Sequence, residues 1–139
     1  MTLYMEKQII NPPALTKPSG YAHGVLTEGG RLVFISGQPG MNASGQVESP
    51  GDLVAQFARA LANVQSVVEA AGGALTDIVK LTIYIQDKDA YKANFHALGV
   101  TWRSFFGRYY PAITLIEVSN LFDDGALIEV DGIAVLHQD

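Results

Sequence analysis

The amino-acid sequence predicts an α+β fold: a single sheet with two helices packed on one of its faces. Three observations carry this. Hydrophobic periodicity switches along the chain between steps of two and steps of three or four. The strand-like runs are short, rich in β-branched residues and bounded by glycine. Their order, ββαβαββ, sets runs of strands around two separate helices, as an α+β domain requires.

Residues 1–20 read as an N-terminal loop segment, punctuated by Pro12, Pro13, Pro18 and Gly20. The stretch from Tyr21 to Thr27 turns at Glu28-Gly29-Gly30 into RLVFISG, which predicts a hairpin. From Leu53, the residues Phe57, Leu61, Val64, Val68 and Ala71 recur at helical steps, with Ser49 and Pro50 or Asp52 as start signals and Gly72-Gly73 as the stop. DIVKLTIYIQD then places Val79, Leu81, Ile83 and Ile85 on one strand face and Lys80, Thr82 and Tyr84 on the other. A second helix aligns Tyr91, Phe95, Leu98, Trp102 and Phe105. Gly99 in its interior costs ~1 kcal/mol relative to alanine. Two strands, around residues 113–118 and 126–136, close the chain. Several strands are apolar on both faces, so the face without helices needs cover, and self-association supplies it.

A length of 139 residues, 48% of them hydrophobic, fits one domain over residues 1–139. The net charge of −5, with nine scattered Lys and Arg, disfavours nucleic-acid binding, which needs clustered cations against phosphates. No cysteine is present, which removes disulfides and thiolate metal sites. No apolar run reaches the ~18 residues of a membrane span, so the expectation is a soluble, cytoplasmic protein with no membrane contact.

The chain carries no GxGxxG, GxxxxGK[ST] or HExxH motif, and His23, His96 and His137 are too dispersed for a metal site. Ser36 ends a strand and could face a cleft, but without His and Asp partners it reads better as part of a Ser-Gly turn than as a nucleophile. Trp102, Phe105, Phe106, Tyr109 and Tyr110 could stack on bases, yet helical spacing assigns most of them to packing. Glu129 is the informative residue. Alternation sets it on one strand face with Leu127, Asp131, Ile133 and Val135, a mostly apolar surrounding. Burial there would raise its pKa and prepare it as a general acid or base, with Asp131 as a like charge nearby; the alternative is an exposed sheet edge.

The stretches PSGYAHGV, LVFISGQPG, QFARALANVQSVVEAAGGALTDIVKLTIYIQD, YYPAITLIEVSNL and ALIEVDGIAVL closely resemble the RidA/YjgF family of imine and enamine deaminases, from about Tyr21 to Leu136. The resemblance implies a chorismate mutase-like fold, a homotrimer with clefts between subunits, and a small-molecule substrate whose imine or enamine nitrogen is replaced by water without a cofactor. It assigns Glu129 to the water and the proton, Tyr21 to the cleft, and Ser36 and Gly37 to the substrate's surroundings. The family's cleft asparagine falls on Asn94 or on Phe95, depending on the alignment. Where the family has Pro-Ala-Arg, with arginine gripping a substrate carboxylate, this chain has Pro111-Ala112-Ile113. Either Arg108 or Arg103 supplies that charge from another direction, or the ligand has no carboxylate there and Ile113 gives apolar contact. The expected function is hydrolysis of an imine, enamine or related unsaturated metabolite, in a catabolic pathway. A non-catalytic trimer binding a metabolite or partner is the alternative, and a ribonuclease or translation inhibitor the weaker one.

Overall fold

The computed structural model describes residues 7–137. In chain order the elements are β1 (Lys7–Ile10), β2 (Gly24–Thr27), β3 (Arg31–Pro39), α1 (Leu53–Ala70), a 3-10 turn (Leu75–Asp77), β4 (Ile78–Ile85), α2 (Lys88–Ala93), α3 (Phe95–Phe106), β5 (Ala112–Glu117) and β6 (Ile128–Leu136). The main sheet has the order β3-β6-β4-β5, and β1 with β2 forms a separate ribbon. β6 is antiparallel to both neighbours, while β4 and β5 are parallel and joined by the α2–α3 crossover.

α1 starts where Asp52 accepts the N–H of Ala55 at 3.0 Å, so Asp52 is the cap among the start signals. It stops at Gly72, whose φ of +94° suits glycine, as the N–H groups of Gly72 and Gly73 return to the carbonyls of Glu69 and Val68. Between these ends Phe57, Leu61, Val64 and Val68 are buried against Ile78, Leu81, Ile128 and Val130. Each such side chain contributes ~1.5–3 kcal/mol through removal from water. Helices therefore cover one sheet face. On the other, Leu32 and Phe34 are 60% and 71% exposed.

Several expectations are corrected. Lys7–Ile10, read as part of a loop, is a strand that pairs with β2 in the register Lys7↔Thr27. Lys7 fastens it: the ammonium donates to the Thr76 carbonyl and sits 4.0 Å from the centre of the Tyr109 ring. β2 takes β1 as partner instead of β3, so Gly29-Gly30 links two sheets rather than closing a hairpin. The core face of β4 begins with Ile78 instead of Val79, because the pairing with β6 shifts between Ile78 and Lys80. The second helix is two. Asn94 ends α2 by donating its amide to the Ala90 carbonyl at 2.8 Å, while its own carbonyl accepts Leu98 N–H to begin α3. α3 then buries Leu98, Trp102 and Phe106, leaving Phe105 half-buried. Among the described residues, no helix is long and apolar enough to cross a membrane.

Candidate active site

β6 sends Ile128 and Val130 into the core, and its pleat sets Glu129 and Asp131 on the opposite face. Glu129 is not at a sheet edge, because β6 lies between β3 and β4 and pairs Glu129 with Pro39 and Tyr84. The register of β3 shifts between Ile35 and Gln38, which takes Ser36 and Gly37 out of regular pairing. The Glu129 side chain lies against Gly37: a Cβ there would stand 2.9 Å from its carboxyl carbon. Gly37 leaves the room that the Glu129 carboxyl occupies; its own backbone does not call for glycine.

Burial, and after it the charges of Asp123 and Asp131, push the Glu129 carboxyl above the usual carboxylate range. Beside it, Tyr84 donates its hydroxyl to Asp131 at 2.9 Å, and that bond to a carboxylate raises the Tyr84 phenol above its ordinary value. Among the described residues no cation pairs with Glu129; the ion pair present, Arg59 with Glu48, involves α1. The expected apolar surroundings hold in part: Ile133 and Val135 share this face and pair with Phe34 and Leu32, while Tyr84, Asp131 and Asp123 add polar groups beside Glu129. Leu127, expected on this face, precedes the strand and packs toward the core.

The start of β6 is fixed by Gln56, a fully buried amide that periodicity alone does not single out. Its Nε2 donates to the carbonyls of Gly125 (3.1 Å) and Ser49 (3.3 Å), and its Oε1 accepts Leu127 N–H at 2.8 Å. A polar residue three after Leu53 and four before Ala60, on the apolar stripe of α1, was the available signal. Glu117, on β5, is structural: it accepts Lys88 N–H at 2.7 Å in the first turn of α2.

On the helix-covered side, between α3, β5 and the loop before β2, lies a cavity of about 450 Å³. Tyr21 reaches it because Ala22 bridges to Ala112 and its N–H bonds to the Pro111 carbonyl at 2.9 Å. His23 holds the same loop through Thr16 and Asn11. Ile113 and Leu115 supply the β5 wall, and Phe95, Trp102 and Arg103 the α3 wall. Trp102 stacks on Phe106 and Tyr110, with centroids 3.9 and 5.6 Å apart, and donates Nε1–H to the Tyr109 carbonyl at 3.2 Å.

The sequence-derived site residues thus separate into two groups. Tyr21, Phe95 and Ile113 line the cavity; Glu129 and Gly37 meet on the open sheet face, with Ser36 beside them and exposed. Asn94 is committed to the α2–α3 junction and, like Arg108, does not line the cavity. Arg103 does line it. Among the described residues no group of three His, Asp or Glu side chains is placed to hold a metal ion.

The profile of the Endoribonuclease L-PSP family matches residues 13–136. The chain is 36% identical over 129 residues to the 2-iminobutanoate/2-iminopropanoate deaminase of Escherichia coli K12, covering 90% of this chain and 92% of that one. It is 31% identical to a RutC family protein of Pyrococcus abyssi, over 94% of this chain and 98% of the relative. Its fold is similar to that of YyfB from Yersinia pestis, a Rid family protein of unknown function, with a TM-score of 0.83 at 32% identity, covering 94% and 98% of the two chains. These matches span nearly the full chain, and on them it belongs to the Endoribonuclease L-PSP family, that of the RidA/YjgF proteins.

Proposed function

We propose that the protein is a hydrolase that removes nitrogen, as ammonia, from an imine or enamine of a small 2-amino acid, in clefts completed between the subunits of a homotrimer. The observation that carries the reading is Glu129, a carboxylate without a cationic partner among the described residues, seated on Gly37 and held above the usual carboxylate range by burial and neighbouring charge. The activity of the E. coli relative supports the reaction class. The exposed Leu32 and Phe34 on the face around Glu129 support a covering subunit.

In this reaction Glu129 takes a proton from water as the water oxygen bonds to the imine carbon, and a proton passes to the nitrogen. The resulting carbinolamine loses ammonia as its hydroxyl proton leaves, giving a 2-oxo acid; imine plus water equals oxo acid plus ammonia. The test is ammonia release from 2-imino acids generated in place by an amino acid oxidase. Glu129→Gln should lower turnover by roughly 10² to 10⁴ with assembly and melting temperature retained. Glu117→Gln should leave turnover unchanged. Equal turnover in wild type and Glu129→Gln would overturn the assignment. Ile113 in the arginine's place favours a second reading, a non-catalytic binding trimer, whose signature is ligand affinity without wild-type turnover.

A further inference from the structure

The cavity under α3 has features that hydrolysis of an imine with a one- or two-carbon side chain does not need. It is walled by aromatic and aliphatic groups, chiefly Tyr91, Leu98, Trp102, Ile113 and Leu115. At about 450 Å³ it lies within the range of pockets that enclose a drug-sized ligand. A ligand the size of pyruvate would leave most of those walls against water, where apolar surface contributes nothing to binding. One cation is present. Arg103 lines the cavity, and among the described residues it has no ion pair.

Its placement explains Gly99. That glycine sits in the interior of α3, where the helix is weakened by it, and its φ is not in the left-handed region that would call for glycine. A Cβ at position 99 would stand 3.3 Å from Arg103 Nη1, closer than such contacts ordinarily run. Arg103, one turn further on, lays its guanidinium in the room that Gly99 leaves, along the helix and toward the cavity. The two residues act as a seated cation opposite Ile113, the position where the Pro-Ala-Arg pattern lacks its arginine.

We infer that this cavity takes the side chain of an aromatic or bulky branched 2-imino acid, and that Arg103, seated on Gly99, receives the carboxylate. The inference rests on the imine-hydrolase reading and names its substrate class. A planar guanidinium accepts a carboxylate through two parallel N–H donors and also tolerates an adjacent aromatic face.

The probes are phenylpyruvate, a stable 2-oxo acid with an aromatic side chain, pyruvate, and phenylacetone, which lacks the carboxylate. Trp102 is the chain's single tryptophan and lines the cavity, so its fluorescence reports occupancy. Phenylpyruvate should bind at least about tenfold more tightly than pyruvate. Arg103→Gln should weaken phenylpyruvate by about tenfold and leave phenylacetone nearly unchanged. Gly99→Ala should raise the melting temperature yet weaken phenylpyruvate, whereas a merely structural role would leave that affinity alone. Equal binding of pyruvate and phenylpyruvate, or equal loss for charged and neutral probes in Arg103→Gln, would overturn the inference; so would a change of oligomeric state in that variant without a change in binding. Turnover in Glu129→Gln separates this from the reaction itself. If turnover falls while Arg103→Gln has no effect on phenylpyruvate, the hydrolase reading stands and this inference fails. If Arg103→Gln discriminates as stated while Glu129→Gln turns over normally, the reverse holds.

Discussion

On the open face of the sheet, Glu129 and Asp131 stand beside Tyr84 with no cation paired to Glu129 among the described residues; on the helix-covered face, two strands away, the cavity is aromatic and holds one guanidinium. The first region concentrates negative charge and raises a carboxyl pKa, which suits proton exchange. The second offers apolar contact area and one anion-receiving group, which suits recognition. On the proposed reading, chemistry and selectivity lie on separate surfaces of the subunit. A substitution at Ile113 would then alter the cavity wall and leave the Glu129 seat against Gly37 untouched.

The division can be tested from either side. The largest effect after removal of the Glu129 carboxyl itself is expected from Gly37→Ala. The new methyl would displace the carboxyl group from its seat, and a shift of that size lowers turnover by roughly 10². Affinity for phenylpyruvate should hold, since the cavity is not altered. Loss of both would join the two regions into one. A smaller effect is expected from Ile113→Arg, which restores the Pro-Ala-Arg pattern. Hydrolysis of the imine of alanine, whose side chain does not need that wall, should rise at least about tenfold, or ~1.4 kcal/mol in the barrier. Aromatic substrates should lose affinity, because the guanidinium occupies a wall that gave them apolar contact. If the variant folds and gains nothing, the α2–α3 segment has reshaped the cavity beyond what one side chain reverses.

Much of this was legible in the sequence because it depends on local periodicity. The α1 stripe, the β4 and β6 alternation and the setting of Glu129 opposite Ile128 and Val130 follow from steps of three, four and two. What escaped depends on partners distant in the chain. β1 exists through pairing with β2 and the hold of Lys7 on Thr76, 69 residues away. Gln56 stands on the apolar stripe of α1, but its hydrogen-bond partners Gly125 and Leu127 come from 69 and 71 residues away. The flip from Val79 to Ile78 needs the bulge against β6. Of the two arginines that could replace the one missing at position 113, Arg103 reaches the cavity because α3 turns it there and Gly99 leaves it room, and Arg108 follows the helix end at Gly107. No spacing rule distinguishes them. The separation of Glu129 from Tyr21 and Ile113 on two faces was equally invisible, since a resemblance gives residues their roles but not their places in the fold.

If one cleft takes Glu129 from one subunit and the cavity from another, two differently damaged subunits can complement each other, and mixing them is the decisive measurement. Glu129→Gln chains lack the proton-handling group, and Ile113→Asp chains set a repelling carboxylate in the cavity wall; each assembly alone should be inactive. When the two are co-expressed in equal amounts and form mixed trimers at random, half of the chains offer Glu129 and half offer an intact cavity. A cleft built from two chains is then complete in about one case in four, and activity should return to about a quarter of wild type. Mixed trimers as inactive as their parents would place the whole site within one chain and rule out a cleft shared between subunits.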